Sequence, residues 1–293
     1  MRTARIFLTT GHAEMADEKV AIVGGSGMLG SDVALLCGQR FDTAVFDLPD
    51  FDITNDRQLE EVVANASIVI NCAAYTNVDK AESETDLAFA VNADAVSRFG
   101  AFARKAGIWV LHISTDFVFD GMSDRPYIET DQPNPLNAYG RSKLTGEQLL
   151  IESGCRYCIM RLEWTYGLRG SNFVMKLINR AKTDGKLKVV DDQTGSPTAT
   201  VEAAKVICRL LAKKPEGIFH FASDGYVNRY EMARFIFDRV SMDVSLSRCS
   251  SSDFVTAAVR PLNSRFDCSK IKTLLDEPIE GWQEPLERFL RQL

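Results

Sequence analysis

A short apolar run, Val20-Ala-Ile-Val23, leads straight into Gly24-x-x-Gly27-x-x-Gly30, and an apolar-periodic stretch continues from Met28 to Cys37. That succession limits the fold more than any other feature of the chain. The run reads as a buried parallel strand and the stretch as a helix. The glycines between them allow a tight turn and a close approach of backbone to a pyrophosphate at the positive helix end. A second strand, Thr43 to Phe46, ends in Asp47, 23 residues beyond Gly24. A carboxylate there accepts hydrogen bonds from adenosine ribose hydroxyls and repels a 2′-phosphate. No Lys or Arg stands between Asp47 and Asp56. The pattern favours NAD(H), with NADP(H) as the alternative.

Strand and helix signals then alternate. A helix over Asp56–Asn65 precedes a strand over Ser67–Asn71, and a long helical stretch from Glu84 to Ala106 precedes a strand over Ile108–Ile113. A helix over Tyr139–Ile151 and a strand near Cys158 follow. Such alternation implies an α/β fold, a doubly wound parallel sheet covered on both faces, with ligands beyond the strand C-termini. Residues 19–165 read as the dinucleotide-binding domain. Residues 166–293 read mostly as a smaller substrate-binding lobe, with helices over Asn172–Ala181, Val201–Leu211 and Asn228–Val240. Strands near 186–190 and 217–221 are expected to return to the sheet.

Asn137-Ala-Tyr-Gly-Arg-Ser-Lys143 puts Tyr139 and Lys143 four residues apart, one turn along a single helix face. A cation beside a phenol stabilises the phenolate, so Lys143 is expected to lower the Tyr139 pKa. That pair suits proton exchange with a sugar or steroid oxygen. Ser114-Thr-Asp116 follows a strand end, on the same sheet edge as the glycine loop.

The net charge of −6 and the absence of a Lys/Arg-rich run argue against nucleic-acid binding. No apolar stretch approaches ~20 residues, so no membrane span is expected. Residues 1–18 read as a leader outside the fold. Seven scattered cysteines suggest free thiols in a reducing, cytoplasmic compartment, and Cys208 reads as packing. Cys155-x-x-Cys158 lies on a strand, where i and i+3 point to opposite faces, so it is not a metal or redox pair. The acids show no metal-ligand spacing, and no metal is expected.

Taken together, these motifs resemble the extended short-chain dehydrogenase/reductase superfamily. Asn71-Cys-Ala-Ala-Tyr-Thr-Asn-Val-Asp-Lys-Ala-Glu82, Ser114-Thr-Asp-Phe-Val-Phe-Asp-Gly121, Pro135 to Glu147, Asp191-Asp-Gln-Thr-Gly-Ser-Pro-Thr198 and Arg260-Pro-Leu-Asn-Ser264 are similar to the dTDP-4-dehydrorhamnose reductase family, from about Lys19 onward. The resemblance implies a Rossmann-like fold and NAD(P)H-dependent reduction of a 4-keto-6-deoxy sugar nucleotide. Thr115, Tyr139 and Lys143 would be catalytic. Gly24, Gly27, Met28, Leu29 and Gly30 would line the pyrophosphate, Asp47 the adenosine ribose, and Asp52 and Ile53 the adenine. Ala73, Ala74, Tyr75, Tyr139 and Lys143 would hold the nicotinamide half. Asp116, Trp164, Asn172, Phe173 and Arg260 would meet the substrate, Trp164 packing on the sugar and Arg260 clamping the diphosphate. Glu163 departs from the family pattern and would put a carboxylate beside the sugar pocket. Another 4-keto sugar nucleotide, or a non-catalytic regulatory subunit, stays open, as does a homodimer against a monomer.

Overall fold

The computed structural model describes residues 18–254 and 256–293. The leader expected over residues 1–18 falls outside them except for Glu18, which ion-pairs with Lys214. The first half of the chain runs β1 (Lys19–Val23), α1 (Met28–Cys37), β2 (Asp42–Phe46), α2 (Asp56–Ala64) and β3 (Ile68–Asn71). The long helical stretch is α3 (Thr85–Phe89), a π-turn (Ala90–Asp94) and α4 (Ala95–Ala106) placed end to end. Then come β4 (Trp109–Thr115), α5 (Ala138–Glu152) and β5 (Arg156–Leu162). Beyond Leu162 stand β6 (Thr165–Tyr166), α6 (Phe173–Asp184), β7 (Lys186–Val190), β8 (Thr194–Gly195), β9 (Thr198–Ala199), α7 (Thr200–Lys213) and β10 (Gly217–Phe221). The chain closes with β11 (Val227–Asn228), α8 (Arg229–Arg239), β12 (Ser245–Cys249), α9 (Ser269–Lys272) and α10 (Gln283–Leu290).

Six strands form one sheet in the order β10-β5-β4-β3-β1-β2, each neighbouring pair parallel. The winding reverses between β1 and β3, so the loops leaving their C-terminal ends diverge and open a crevice there. Alternate residues of each strand feed two cores. Val20, Ile22, Ile68, Ile70 and Leu111 pack with α1 and α7, whereas Ala21, Val23, Val69 and Val110 pack with α2, α4 and Leu150 of α5. A third cluster, from α6, β7, α8 and α10, stands apart from both.

Two expectations need correction. β10 joins the sheet beside β5, but β7 does not; it pairs with β12 in a separate two-stranded sheet. Its side chains alternate exposed and buried, and a strand with one apolar face cannot sit inside a sheet covered on both sides. The free-thiol expectation fails for Cys37 and Cys208, which form a disulfide between α1 and α7 with a Cα–Cα distance of 5.7 Å. Nothing local in the sequence brings them together; the packing of α7 across α1 does, so the cysteine count no longer argues for a reducing compartment. Cys155, just before β5, and Cys158 within it are free and lie in different cores. No helix among the described residues is long and apolar enough to cross a membrane.

Candidate active site

The glycine loop forms its turn through backbone geometry. Gly24 has φ +75°, and a Cβ there would fall 2.5 Å from the Ala73 nitrogen, so β1 and the loop after β3 touch through a position only glycine can hold. α1 begins after Gly27 with no side-chain cap, and its first amides are left for an outside acceptor. A loop of this shape fits a dinucleotide pyrophosphate. Asp47 stands at the tip of β2, where its Oδ2 accepts the Ser26 amide at 2.8 Å. Beside it opens a cleft of about 580 Å³ lined by Ser26, Phe51 and the acids Asp47, Asp50 and Glu61, with no Lys or Arg.

The other cofactor candidates are placed as follows. Leu29 and Ile53 are buried core side chains, so only their backbone can face a ligand. Asp52 accepts the Thr54 amide and hydroxyl, both at 2.8 Å, and shapes a turn. Met28 reaches away from the sheet toward Asn172, its sulfur 3.9 Å from Asn172 Nδ2. The Tyr75 phenol donates to Glu84, and its backbone is clamped by the buried Asn92, which accepts Tyr75 N at 2.8 Å and donates to Ser142 Oγ at 3.0 Å. Asn92, a lone amide on the π-turn, was missed in the sequence.

Asn137 caps α5 by accepting the Gly140 amide at 2.8 Å and donates to Val259 O at 2.8 Å, which fixes the helix that carries Tyr139 and Lys143. Lys143 is 2% exposed. Its Nζ donates to Ile113 O at 2.7 Å and lies 3.3 Å from His112 Nε2. Burial brings its pKa down to about 8. His112, buried and next to that cation, stays neutral, held well below its ordinary value. The expectation for Tyr139 is reversed: burial pushes its phenol up to about 12, a bond to the Thr115 hydroxyl offsets part of this, and the Asp116 charge adds to it. The reason is directional. Lys143 spends its charge on Ile113 O and His112, not on the phenol. Tyr139 is therefore a fully protonated acid at neutral pH.

Thr115 ends β4, its hydroxyl donating to Asp116 Oδ1 at 3.0 Å and accepting the Phe117 amide at 3.2 Å. Asp116 is 3% exposed, and its other oxygen accepts Ser264 Oγ at 2.6 Å. It positions Thr115 and Ser264 and does not line the cleft; burial raises its pKa. Glu163 is fully buried, and burial beside Asp116 raises its carboxyl well above the ordinary range, which favours its uncharged form.

Trp164 holds a left-handed φ of 45°, a strained backbone for a non-glycine residue. One face of its indole carries the Arg229 guanidinium, 3.4 Å from the ring centroid. A Cβ on Gly195 would lie 2.7 Å and 3.0 Å from Cε2 and Cδ2, the atoms at the ring fusion, and would meet no atom of Arg229 that close, so Gly195 covers the opposite face. Both faces of the Trp164 indole thus meet the protein's own atoms. Phe173 flanks the same guanidinium at 4.5 Å. Asn172 caps α6 and donates to Gly167 O at 2.8 Å. Arg260 is held by Asp79 at 2.6 Å and by Ala258 O at 2.9 Å. Beneath the site, Glu147 takes two bonds from Arg161, at 2.9 and 2.6 Å, and one from Ser114. Among the described residues no group of three or more His, Cys, Asp or Glu could hold a metal.

Residues 18–293 match the family model described as RmlD substrate binding domain. A dTDP-4-dehydrorhamnose reductase of Sinorhizobium fredii is 34% identical, over 93% of this chain and 96% of that protein. A dTDP-4-keto-6-deoxy-D-glucose reductase of Streptomyces niveus is 38% identical, over 82% of this chain and 85% of that protein. The dTDP-4-dehydrorhamnose reductase of Bacillus anthracis, solved in complex with NADP, superposes with a TM-score of 0.90 at 36% identity, covering 94% of this chain and 99% of that one. With sequence, structure and the spacing of Thr115, Tyr139 and Lys143 all in agreement, the chain belongs to the dTDP-4-dehydrorhamnose reductase family.

Proposed function

We propose that the protein reduces the C4 carbonyl of dTDP-4-dehydrorhamnose to give dTDP-L-rhamnose. One observation carries the reading: a protonated, half-buried phenol, a second hydroxyl and a buried ammonium gather at the strand ends beside a dinucleotide-type glycine loop. The nicotinamide dinucleotide supplies the hydride when bound. Gly24, Gly27 and the amides opening α1 suit its pyrophosphate, Asp47 its adenosine ribose, and Ala73 to Tyr75 with Lys143 its nicotinamide half. Negative charge grows on the substrate oxygen as the carbonyl is reduced. Tyr139 gives that oxygen its proton, and Thr115, turned from Asp116, donates a second hydrogen bond. Burial around Tyr139 keeps bulk water from competing.

NADH is the preferred dinucleotide in this reading. Its support is electrostatic: the cleft beside Asp47 is lined by three acids and no cation, which disfavours a 2′-phosphate. Covered on both faces, Trp164 also favours a second reading, in which another 4-keto-6-deoxy hexose carried on dTDP is the substrate. Turnover with dTDP-4-dehydrorhamnose beside that with its hexose epimers separates the two. The decisive experiment compares wild type with Tyr139→Phe in oxidation of reduced dinucleotide on addition of dTDP-4-dehydrorhamnose. Turnover is expected to fall at least about a hundredfold with dinucleotide affinity unchanged. Near-normal turnover in the variant would refute the proton-donor role, and a wild type that binds dinucleotide without turnover on any 4-keto sugar nucleotide would mark a regulatory subunit.

A further inference from the structure

Arg229 opens α8 and has no role in the chemistry above. Its guanidinium lies against the rings of Trp164, 3.4 Å from the centroid, and Phe173, at 4.5 Å. Among the described residues its side chain makes no hydrogen bond or ion pair, and its nitrogens are not sealed from solvent. The acids in electrostatic reach, Asp116 and Glu163, are not within hydrogen-bond distance of its side chain. Asp116 bonds Ser264 and Thr115, and burial favours the uncharged form of Glu163. The neighbouring cation is different: Arg260 already has Asp79 and Ala258 O.

Burial lowers the Arg229 pKa to about 9, so it is a cation at neutral pH. A partly desolvated cation with no acceptor is costly, and a neutral sugar hydroxyl offsets that cost poorly. A phosphate offsets it well, because the guanidinium fork matches two of its oxygens. Contact with two aromatic rings restrains the guanidinium before any ligand arrives.

We infer that Arg229, held against Trp164 and Phe173, binds the diphosphate of the sugar-nucleotide substrate, a role expected of Arg260 from the sequence. This rests on the sugar-nucleotide reading of the site and adds the group that anchors its charged centre. It also gives Trp164 a task compatible with its covered faces, that of a platform for the guanidinium.

The test uses the full chain and dTDP as probe, titrated calorimetrically into wild type, Arg229→Met and Arg229→Lys at low and high salt, with NADH affinity measured alongside. Arg229→Met is expected to weaken dTDP binding about tenfold to a hundredfold and to flatten its salt dependence, with NADH affinity unchanged. Arg229→Lys, keeping the charge without the fork, is expected to recover part of the loss. A Met variant that binds dTDP within about twofold of wild type overturns the inference, and so does one that loses NADH affinity in the same proportion, since that marks a structural role. A wild type that binds NADH but not dTDP overturns both this inference and the sugar-nucleotide reading beneath it.

Discussion

Lys143 and Tyr139 make opposite demands on pH, and the demands separate cleanly. In the proposed mechanism Lys143 must be charged to hold a cofactor ribose, and Tyr139 must be protonated to act as an acid. Burial leaves the ammonium at about 8, below its ordinary 10.5, and raises the phenol to about 12 from 10.0. Rising pH therefore strips Lys143 first. The reductive kcat/KM is expected to be level through neutrality, to turn down near pH 8, and to fall tenfold per unit, about a hundredfold by about pH 10. His112 adds no acid limb there, since its pKa lies well below 6.5. The assay is initial rate against pH at subsaturating reduced dinucleotide, read by its absorbance. Lys143→Arg keeps the charge and should lose the limb. A second readout needs no turnover. Because folding depresses this pKa, the unfolded chain binds the extra proton between about 8 and 10.5. Wild type should then gain stability with rising pH across that window relative to Lys143→Met. A profile that stays level to about pH 10, or a limb that survives in Lys143→Arg, would refute the assignment to Lys143.

Three further outcomes are expected. Asp47→Ser should raise the ratio of NADPH to NADH efficiency by at least about tenfold, by removing a charge that faces the 2′ position; an unchanged ratio would show that Asp47 does not select. Glu147→Ala leaves Arg161, only 2% exposed, without its carboxylate, and should cost about 3–5 kcal/mol in denaturant unfolding. A loss below about 1 kcal/mol would mean the guanidinium finds water. Gly195→Ala drives a methyl to 2.7 Å from Trp164 and 2.8 Å from the Glu163 carboxyl, so roughly 1–3 kcal/mol of stability and a shift in tryptophan fluorescence are expected; no change in either would show the backbone yielding instead.

What could be read in the chain was whatever its chemistry writes locally. The glycine loop is a strand, a turn and a helix in one contiguous stretch, and Tyr139 and Lys143 share a face because four residues are about one turn. The alternation that excludes β7 from the sheet is also local, in Lys186-Leu-Lys-Val-Val190. Other features have no local signature. Ser264 matters because Asp116 lies against it across the fold, and Cys37 meets Cys208 only once α7 crosses α1. Arg229 following the cap Asn228 looks like an ordinary first helical turn until Trp164 and Phe173 close on it. Charge state shows the divide most sharply. Spacing placed Tyr139 and Lys143 on one helix, yet the inferred direction of the phenol's shift was wrong, because a lysine's position along a helix does not say where its ammonium points. Here it points to a carbonyl of β4. Sequence names the groups that react, and the neighbours brought by folding decide which of them hold protons.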